Sequence, residues 1–242
     1  MPSFKPTLTV VDHPDQFPCT NHAFIKPNGL LAFSTQITSD WLKIAYSKGI
    51  FPWYNPNEPV LWWSPNPRAV LYVNDFKLHR SLHKAVLKAS KQINHQVSLN
   101  ANFEAVIRAC AEPRAYADST WISEPIIQSY CELHRQGLAH SVEYTINRQL
   151  VGGLYCVSLG KMVFGESMFA RQTDASKIAF SFFIHWLKLQ GVKLIDCQQS
   201  TNHLNFLGAT TISRIKFENE LQTEINRPNL DWRPKTLYWK ND

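Results

Sequence analysis

The sequence has 242 residues, with 25 Lys and Arg against 19 Asp and Glu, so its formal net charge is +6. Hydrophobic residues make up 44% of the chain and aromatic residues 12%, which is typical of a folded globular protein and excludes an intrinsically disordered one. The most apolar stretch, residues 178–187, is too short to span a bilayer, and the first 25 residues carry no apolar signal segment. We therefore expect a cytoplasmic protein with no membrane partner.

The five cysteines are widely spaced and contain no C-x-x-C pair, which predicts reduced thiols and argues against a disulfide framework or a zinc site. His79 and His83 have the spacing of helical zinc ligands, but no third ligand is evident nearby, so no metal is expected. Two other familiar site patterns, the G-x-S-x-G elbow and the Walker loop, do not occur in the sequence.

In chain order, residues 1–26 carry no motif, and the first predicted element is a helix over residues 38–48 that ends at Gly49. Residues 51–68 follow, with five prolines and three tryptophans. Proline at this density argues against a regular helix or a central strand, so this segment is predicted to be a loop. Trp62 and Trp63 are predicted to pack in the core, whereas Trp53 lies between turn-forming residues and is a candidate for stacking on a ligand.

A basic helix is predicted next, because no Asp or Glu occurs between Phe76 and Phe103. This window contains five basic residues at spacings of three or four, so a helix would carry them on one face. They are Lys77, Arg80, Lys84, Lys88 and Lys91, and we call them the basic stripe. The stripe is either an ordinary solvated surface or a surface that binds the phosphates of a nucleic acid.

The rest of the chain predicts a mixed α+β fold that resembles the acetyltransferase-like (GNAT) arrangement. The predicted elements are a strand over 96–99, helices over 102–111 and 123–136, antiparallel strands from 140 to 169 with breaks at 147–148, 152–153 and 159–160, a long helix over 174–190, a buried strand over 193–197 and a short helix over 202–207. The turn before the long helix, residues 168–177, has no glycine, so a pyrophosphate cradle for CoA is not expected.

A polar group stands in the apolar frame of these last elements. Asp196 and Gln198 alternate along the predicted strand, which places them on one face with Cys197 opposite, and Glu166 follows another strand-like segment. A carboxylate and an amide on a buried strand are either a satisfied structural pair or an acid–base group with an orienting amide. Core packing or a pocket for a bulky apolar group explains the surrounding apolar residues.

Nine segments give the sequence a resemblance to the bacterial leucyl/phenylalanyl-tRNA–protein transferase family. They are PNGLLA (27–32), GIFPWYNPNEPVLWWSPNPRAVL (49–71), STWI (119–122), HSVE (140–143), LVGGLY (150–155), FGESMFAR (164–171), DASK (174–177), LIDCQ (194–198) and NHLNFLGA (202–209). The segments occur in the family's order, and the resemblance runs from about Pro27 to Arg214, which is most of the chain.

The resemblance implies an enzyme that moves Leu or Phe, and also Met, from its aminoacyl-tRNA to the α-amine of proteins with N-terminal Arg or Lys, which marks them for degradation by the bacterial N-degron route. It implies a small N-terminal α/β domain over residues 1–67 and a GNAT-like catalytic domain over residues 68–242. The implied enzyme is a cytoplasmic monomer that uses no metal or cofactor, since the aminoacyl ester already carries the activation.

The resemblance also implies roles for individual residues. Asp196 and Gln198 would activate the acceptor amine, and Glu166 would arrange the site and favour a cationic acceptor; whether Asp196 is a base or only orients Gln198 stays open. Trp53 and Trp121 would hold the terminal adenosine, and the basic stripe, chiefly Arg80 and Lys84, would contact the acceptor stem. The apolar residues that would form the aminoacyl pocket are Val163, Met168, Phe180, Phe183, Leu187 and Ile195. Of these, Val163 stands where an aromatic is usual.

Three other functions are weighed against this reading. A tRNA-dependent transferase with another acceptor, such as a peptidoglycan precursor, would lack the FPWY and WWSP segments. A CoA-dependent acyltransferase would need the missing Gly-rich turn. An RNA-binding protein without enzymatic activity would bind tRNA in a salt-dependent manner and form no product.

Overall fold

The computed structural model describes residues 8–113 and 120–239. Residues 1–7 of the motif-free N-terminal segment and Ser119 of the STWI segment lie outside the described residues. The described chain is a mixed α+β fold, as predicted, with one small and one large β-sheet.

The helices and strands have the following bounds. The α-helices are α1 Ser39–Ser47, α2 Arg80–Lys91, α3 Phe103–Ala111, α4 Glu124–Arg135, α5 Ala175–Leu189, α6 Asn202–Phe206 and α7 Arg214–Ile225. The strands are β1 Thr9–Val10, β2 Leu30–Ser34, β3 Phe51–Pro52, β4 Val60–Trp63, β5 Arg68–Tyr72, β6 His95–Leu99, β7 Ala139–Ile146, β8 Gln149–Leu159, β9 Met162–Ala170, β10 Leu194–Gln198, β11 Thr210–Ile212 and β12 Lys235–Leu237.

The small sheet has the order β1-β2-β4-β3, so β4 is an inner strand. The prediction that proline excludes a central strand from residues 51–68 is therefore wrong at Val60–Trp63. The prolines flank this strand and leave its four N–H groups free for the ladder, while Trp62 is fully buried and donates from Nε1 to Ser34 Oγ at 2.9 Å. Trp63 is also buried, so both tryptophans pack in the core as predicted.

The large sheet has the order β11-β5-β10-β9-β8-β7-β6-β12. Strands β9 and β10 are parallel neighbours, with Ile195 opposite Val163, whereas the other described neighbours in this sheet are antiparallel. A parallel pair needs a crossover connection, and α5 supplies it. The crossover places β10, with its polar residues, between β9 and β5.

The predicted break at Gly152-Gly153 is wrong, because both glycines lie inside the long strand β8. Their role is close approach: a Cβ at Gly152 would lie 2.6 Å from the Ala175 side chain, and one at Gly153 would lie 2.6 Å from the Val142 carbonyl oxygen. Gly152 therefore lets α5 start directly against β8, and Gly153 lets the backbone of β7 approach closely. The breaks predicted at 147–148 and near 160 are turns between β7, β8 and β9.

Two apolar cores hold the sheets and helices together. One contains Trp62 and Tyr46 from the N-terminal part together with Phe164 from β9 and Phe217 from α7. The other lies beneath α2 and α5 on the large sheet. The first core spans the predicted domain boundary at residue 67, so the two parts share buried surface. No helix within the described ranges is long and apolar enough to cross a bilayer.

Candidate active site

A cavity of about 490 Å³ lies beside the parallel strands β9 and β10, and residues of α5 and α6 form its other walls. Apolar side chains form most of its wall, and four of them are predicted pocket residues: Met168, Phe180, Phe183 and Ile195. Leu154 and Leu204 complete the apolar part, and Glu166 and Gln198 present polar groups. The cavity thus offers an apolar chamber with a carboxyl and an amide at one side.

Two predicted pocket residues do not line this cavity. Val163 and Leu187 are fully buried in the core beneath it. Val163 precedes the segment of β9 that lines the cavity, which begins at Gly165, and Leu187 lies one helical turn beyond Phe183. The spacing of apolar residues in the sequence identifies the apolar face of each element, but it does not show which residues along that face line the cavity.

Asp196 is fully buried and paired with Arg68, which is also fully buried. The guanidinium donates from Nε to Oδ1 at 2.8 Å and from Nη2 to Oδ2 at 2.7 Å. The rings of Phe51 and Phe217 lie 4.7 and 4.5 Å from the guanidinium carbon, one from the small sheet and one from α7. Arg68 Nη1 has no hydrogen-bond partner among the residues that the structure describes.

Gln198 leaves the regular strand conformation. Its φ is +62°, and the register of β10 against β5 shifts between Asp196 and Gln198. The backbone N–H of Gln198 donates to Asp196 Oδ1 at 2.9 Å. Strand alternation predicts Asp196 and Gln198 on one face with Cys197 opposite, but Cys197 and Gln198 line the cavity and Asp196 does not. The bulge is the physical reason, because an extra residue ends the alternation.

A chain of hydrogen bonds joins Gln198 to Glu166 and two tyrosines. Gln198 Nε2 donates to Glu166 Oε1 at 2.9 Å, and the Tyr130 hydroxyl donates to Glu166 Oε2 at 3.0 Å. The hydroxyls of Tyr46 and Tyr130 are 2.5 Å apart. Tyr46 belongs to α1 and Tyr130 to α4, so four elements meet at the Glu166 carboxyl.

Burial dominates the electrostatics of this chain. The pKa of Glu166 is raised from 4.5 to about 8, chiefly by burial; the charge of Asp196 also raises this pKa, while the hydroxyls of Tyr46 and Tyr130 and the charge of Arg68 lower it. Burial first, and then the charge of Glu166, raises the pKa of both tyrosines well above its usual value. Glu166 therefore exchanges its proton near neutral pH while the tyrosines keep theirs.

Cys197 and His203 are two of the further titratable side chains that line the cavity. Burial, followed by the charge of Asp196, raises the pKa of the Cys197 thiol, so the thiol stays protonated and is not a thiolate nucleophile. Burial, followed by the charge of Lys177, lowers the pKa of His203, so this imidazole is neutral near pH 7. Of Glu166, Cys197 and His203, Glu166 is therefore the side chain whose charge changes near neutral pH.

Comparison with known proteins places this geometry in a family. A family model described as leucyl/phenylalanyl-tRNA protein transferase matches residues 70–222, and one described as the N-terminal domain of that transferase matches residues 35–66. The leucyl/phenylalanyl-tRNA–protein transferase of Pseudomonas entomophila is 48% identical over 213 residues, 88% of this chain and 92% of the relative. The chain belongs to the leucyl/phenylalanyl-tRNA–protein transferase family. The resemblance drawn from the nine sequence segments is confirmed.

A second relative in the same family, from Hydrogenovibrio crunogenus, is 48% identical over 223 residues, 92% of this chain and 84% of the relative. As a leucyl/phenylalanyl-tRNA–protein transferase family member, the chain is an aminoacyl-tRNA-dependent transferase. A GCN5-related N-acetyltransferase from Kribbella flavida is a weak structural neighbour, with a TM-score of 0.35 and 10% identity over 71% of this chain and 60% of that chain. This TM-score is too low to assign a fold family, so the acetyltransferase-like arrangement stays a prediction.

The predicted basic stripe of this transferase lies on and beside α2. Arg80, Lys84, Lys88 and Lys91 belong to the helix, and Lys77 precedes it; all five are exposed. Leu82, Val86 and Ala89 on the other face are buried. No ion pair joins a stripe residue to a carboxylate of the residues that the structure describes. These cations are free to meet an external anion.

The two tryptophans predicted to hold adenosine lie on neighbouring segments outside the cavity wall. Trp53 is 45% exposed, its ring lies 5.7 Å from that of Trp63, and its carbonyl accepts from Trp63 Nε1 at 2.7 Å. Trp121 is half-buried against the core. The Tyr54 hydroxyl hydrogen-bonds with Ser123, which ties the Trp53 segment to the Trp121 segment.

Sequence reasoning missed three residues of the site: Tyr46, Tyr130 and Arg68. The tyrosines sit on amphipathic helices, where a buried Tyr resembles any other core residue. Arg68 had a readable signal, since it is an arginine at the start of the apolar strand-like segment RAVLY. A cation at such a position requires a buried anion, and Asp196 was the available carboxylate.

Proposed function

We propose that this transferase moves Leu or Phe, and also Met, from aminoacyl-tRNA to the α-amine of proteins with N-terminal Arg or Lys, which marks them for degradation by the N-degron route. The observation that carries the proposal is the apolar cavity of about 490 Å³ with Glu166 and Gln198 in its wall. An apolar chamber suits a Leu, Phe or Met side chain, and the adjacent polar pair can meet an amine. We further propose a cytoplasmic monomer with a boundary between a small N-terminal domain, 1–67, and an acetyltransferase-like domain, 68–242.

The reaction joins the acceptor nitrogen to the ester carbonyl carbon and breaks the bond from that carbon to the ribose oxygen. The proton lost by the amine is finally carried by the released ribose hydroxyl. A free α-amine has a pKa of about 7.7–8.0, so about 10–17% of it is already deprotonated at pH 7 and a modest proton acceptor suffices. No metal or cofactor is needed, because the ester bond of aminoacyl-tRNA is already activated.

Gln198 is the residue assigned to the acceptor amine. Its Nε2 is committed to Glu166, so its amide oxygen is the atom left to accept an N–H from a substrate in the cavity. Accepting this N–H directs the nitrogen lone pair toward the ester carbonyl. Glu166 and its tyrosine partners hold the amide in that orientation.

Asp196 is assigned as a positioning residue. A general base must reach the proton that it removes, and Asp196 is fully buried, paired with Arg68 and absent from the cavity wall. Its link to the site is the Gln198 N–H, which it holds at 2.9 Å with φ at +62°. Of the two roles left open by the sequence, orientation of Gln198 is the one that this geometry supports.

Glu166 is assigned to the preference for a cationic acceptor. A positive charge nearby favours the ionised carboxylate, so an Arg or Lys side chain entering the cavity would shift the proton of Glu166 off the protein. Because the pKa of Glu166 is about 8, this change occurs in the neutral range. An uncharged N-terminal residue would gain no such interaction.

The basic stripe and the two tryptophans are assigned to tRNA. Arg80 and Lys84, extended by Lys77, Lys88 and Lys91, would contact acceptor-stem phosphates, which supply affinity without sequence reading. Trp53 and Trp121 would hold the terminal adenosine by stacking, worth roughly 1–3 kcal/mol per base. Helix α6 connects the basic stripe to the cavity. Its residues His203 and Leu204 line the cavity, and the carbonyl oxygen of Leu207, directly after the helix, accepts from the Lys77 N–H at 2.9 Å.

A transfer assay tests the proposal. Purified protein is mixed with radiolabelled Leu-tRNA or Phe-tRNA and a peptide beginning with Arg, with an Ala-initial peptide as the control. Label on the Arg peptide alone supports the proposal, and Gln198→Ala should abolish it while tRNA affinity stays unchanged. Tight tRNA binding with no label on either peptide would instead favour another acceptor or an RNA-binding protein without enzymatic activity.

A further inference from the structure

An exposed aromatic pair lies outside the cavity at the end of α6. Phe206 is 57% exposed, and its ring stacks on the imidazole of His79 with centroids 3.9 Å apart and planes 19° apart. His79 Nε2 also hydrogen-bonds the Phe206 carbonyl oxygen at 2.8 Å. Neither residue has a role in the function proposed above, and an exposed Phe held flat against a second ring presents its other face to solvent.

Backbone contacts fix this pair in place. The Lys77 N–H donates to the Leu207 carbonyl at 2.9 Å, and the Leu207 side chain is fully buried. Gly208 has a φ of +104°, and a Cβ there would lie 2.3 Å from the Asp75 carbonyl oxygen. The segment before α2 and the segment after α6 are therefore packed backbone against backbone, so the exposed ring loses little further freedom on binding.

The pair lies between the cavity and the basic stripe. Thr201, His203 and Leu204 line the cavity, and Phe206 follows His203 by three residues, which places the two on one face of α6. On the other side, His79 directly precedes Arg80, the first residue of α2. A single-stranded nucleic acid that runs from the basic stripe to the cavity would pass over this pair.

We propose that the His79–Phe206 pair is a stacking platform for an unpaired nucleotide at the 3′ end of the tRNA. The inference rests on the proposed function, which needs an aminoacyl group in the cavity and an acceptor stem on the stripe. The nucleotides between the stem and the aminoacyl group are single-stranded, and unpaired bases stack on exposed aromatic rings without regard to sequence. Exposed Arg80 and Lys77 stand beside the platform to meet the phosphates.

The test measures the affinity of deacylated tRNA for the full chain and for Phe206→Ala, Phe206→Tyr and the control Leu189→Ala, which removes another exposed apolar side chain at the end of α5. Four RNAs are compared: the complete tRNA and forms that lack one, two or three 3′ nucleotides. Phe206→Ala should weaken binding of the complete tRNA by about 5- to 150-fold. The loss should disappear once truncation removes the stacked nucleotide, and Phe206→Tyr should bind like the wild type.

Three results would overturn the platform. They are wild-type affinity of Phe206→Ala for every RNA, an equal loss for all four RNAs, and a loss confined to the KM of the Arg-initial peptide, which would assign the surface to the acceptor protein. Thermal unfolding of Phe206→Ala verifies the fold, and the exposed position predicts a wild-type Tm. Wild-type transfer activity is measured in parallel, so failure of the proposed function would show in the wild type and failure of the platform in Phe206→Ala alone.

Discussion

Replacing Arg68 with methionine would leave the Asp196 carboxylate fully buried without a counter-charge. Both side chains have no exposed surface, and both guanidinium contacts to the carboxylate are shorter than 3 Å, at 2.8 and 2.7 Å. Methionine keeps an unbranched apolar chain between the rings of Phe51 and Phe217. The variant therefore removes the charge and the hydrogen bonds with little change in packing volume.

Removing one partner of a buried ion pair costs about 3–5 kcal/mol. The whole free energy of unfolding of a protein is about 5–15 kcal/mol, so this loss consumes a large part of it. For a chain of this size, 1 kcal/mol corresponds to about 2–4 °C, so the Tm of Arg68→Met should fall by about 6–20 °C. Arg108→Met is the matched control, because Arg108 pairs with exposed carboxylates and its loss should leave the Tm nearly unchanged.

A second variant, Arg68→Met with Asp196→Asn, separates folding from catalysis. Neutralising both partners removes the unpaired charge, so most of the lost Tm should return. The asparagine oxygen can still accept the Gln198 N–H. If Asp196 only positions Gln198, transfer to the Arg-initial peptide should stay within about tenfold of the wild type, whereas loss of a general base should cost about 10²- to 10⁴-fold.

Thermal unfolding and single-turnover transfer with Phe-tRNA measure the two effects. An unchanged Tm for Arg68→Met would refute the cost assigned to the ion pair. A double variant no more stable than Arg68→Met would do the same. A stable double variant whose transfer rate falls by more than 10²-fold with normal tRNA affinity would refute the positioning role of Asp196.

Three further variants test the cavity and the stripe. Because the pKa of Glu166 is raised from 4.5 to about 8, the folded state binds this proton more tightly than the unfolded state does. The stability that the proton contributes should be fully present below pH 4.5 and should be lost as the pH rises toward 8. In Glu166→Gln this pH dependence, at most about 1.4 kcal/mol per pH unit, should vanish from the Tm profile. Arg80→Glu should weaken tRNA binding and reduce its log–log salt slope by about one or more. Met168→Ala should enlarge the cavity and raise the kcat/KM ratio of Phe to Leu by roughly 5- to 150-fold.

Each of these variants has a matched control. Glu58→Gln changes an exposed carboxylate and should keep the wild-type pH profile of stability. Lys43→Glu makes the same charge change as Arg80→Glu on an exposed site of α1 and should leave tRNA affinity unchanged. Val163→Ala removes volume from the core beneath the cavity, so it should lower the Tm without changing the Phe-to-Leu ratio. Equal effects in variant and control would contradict the assigned role.

The sequence predicted the elements that depend on local pattern. The three- and four-residue spacing of the basic residues on α2 and the Gly49 that ends α1 are signals carried by neighbouring residues, and each element lies within a few residues of its prediction. The glycines of β8 carried a turn-like signal but serve close packing, Gly152 against Ala175 of α5 and Gly153 against the Val142 carbonyl of β7, and these contacts depend on residues distant in the chain. Local pattern could not distinguish the two uses.

The candidate site shows the same division. Glu166, Met168, Ile195 and Gln198 were identified because they lie in segments that resemble the family, whereas Phe180 and Phe183 lie on the long predicted helix between two such segments. The position of Asp196 away from the cavity wall was not predicted, since strand alternation assumes a regular strand and the bulge before Gln198 ends it. Its partner Arg68 lies 128 positions away in the chain, and only the folded sheet brings β5 against β10.

The residues that hold the site come from nearly the whole length of the chain. Tyr46 on α1 reaches Glu166 through Tyr130, and Phe217 on α7 covers the guanidinium of Arg68. A ribosome makes the chain from its N-terminal end, so α1 and α4 are synthesised before β10 and α7. The contacts that hold the amide of Gln198 can form only after all of these elements have been made. A nascent chain, although surrounded by charged tRNA, therefore has no assembled site with which to consume it.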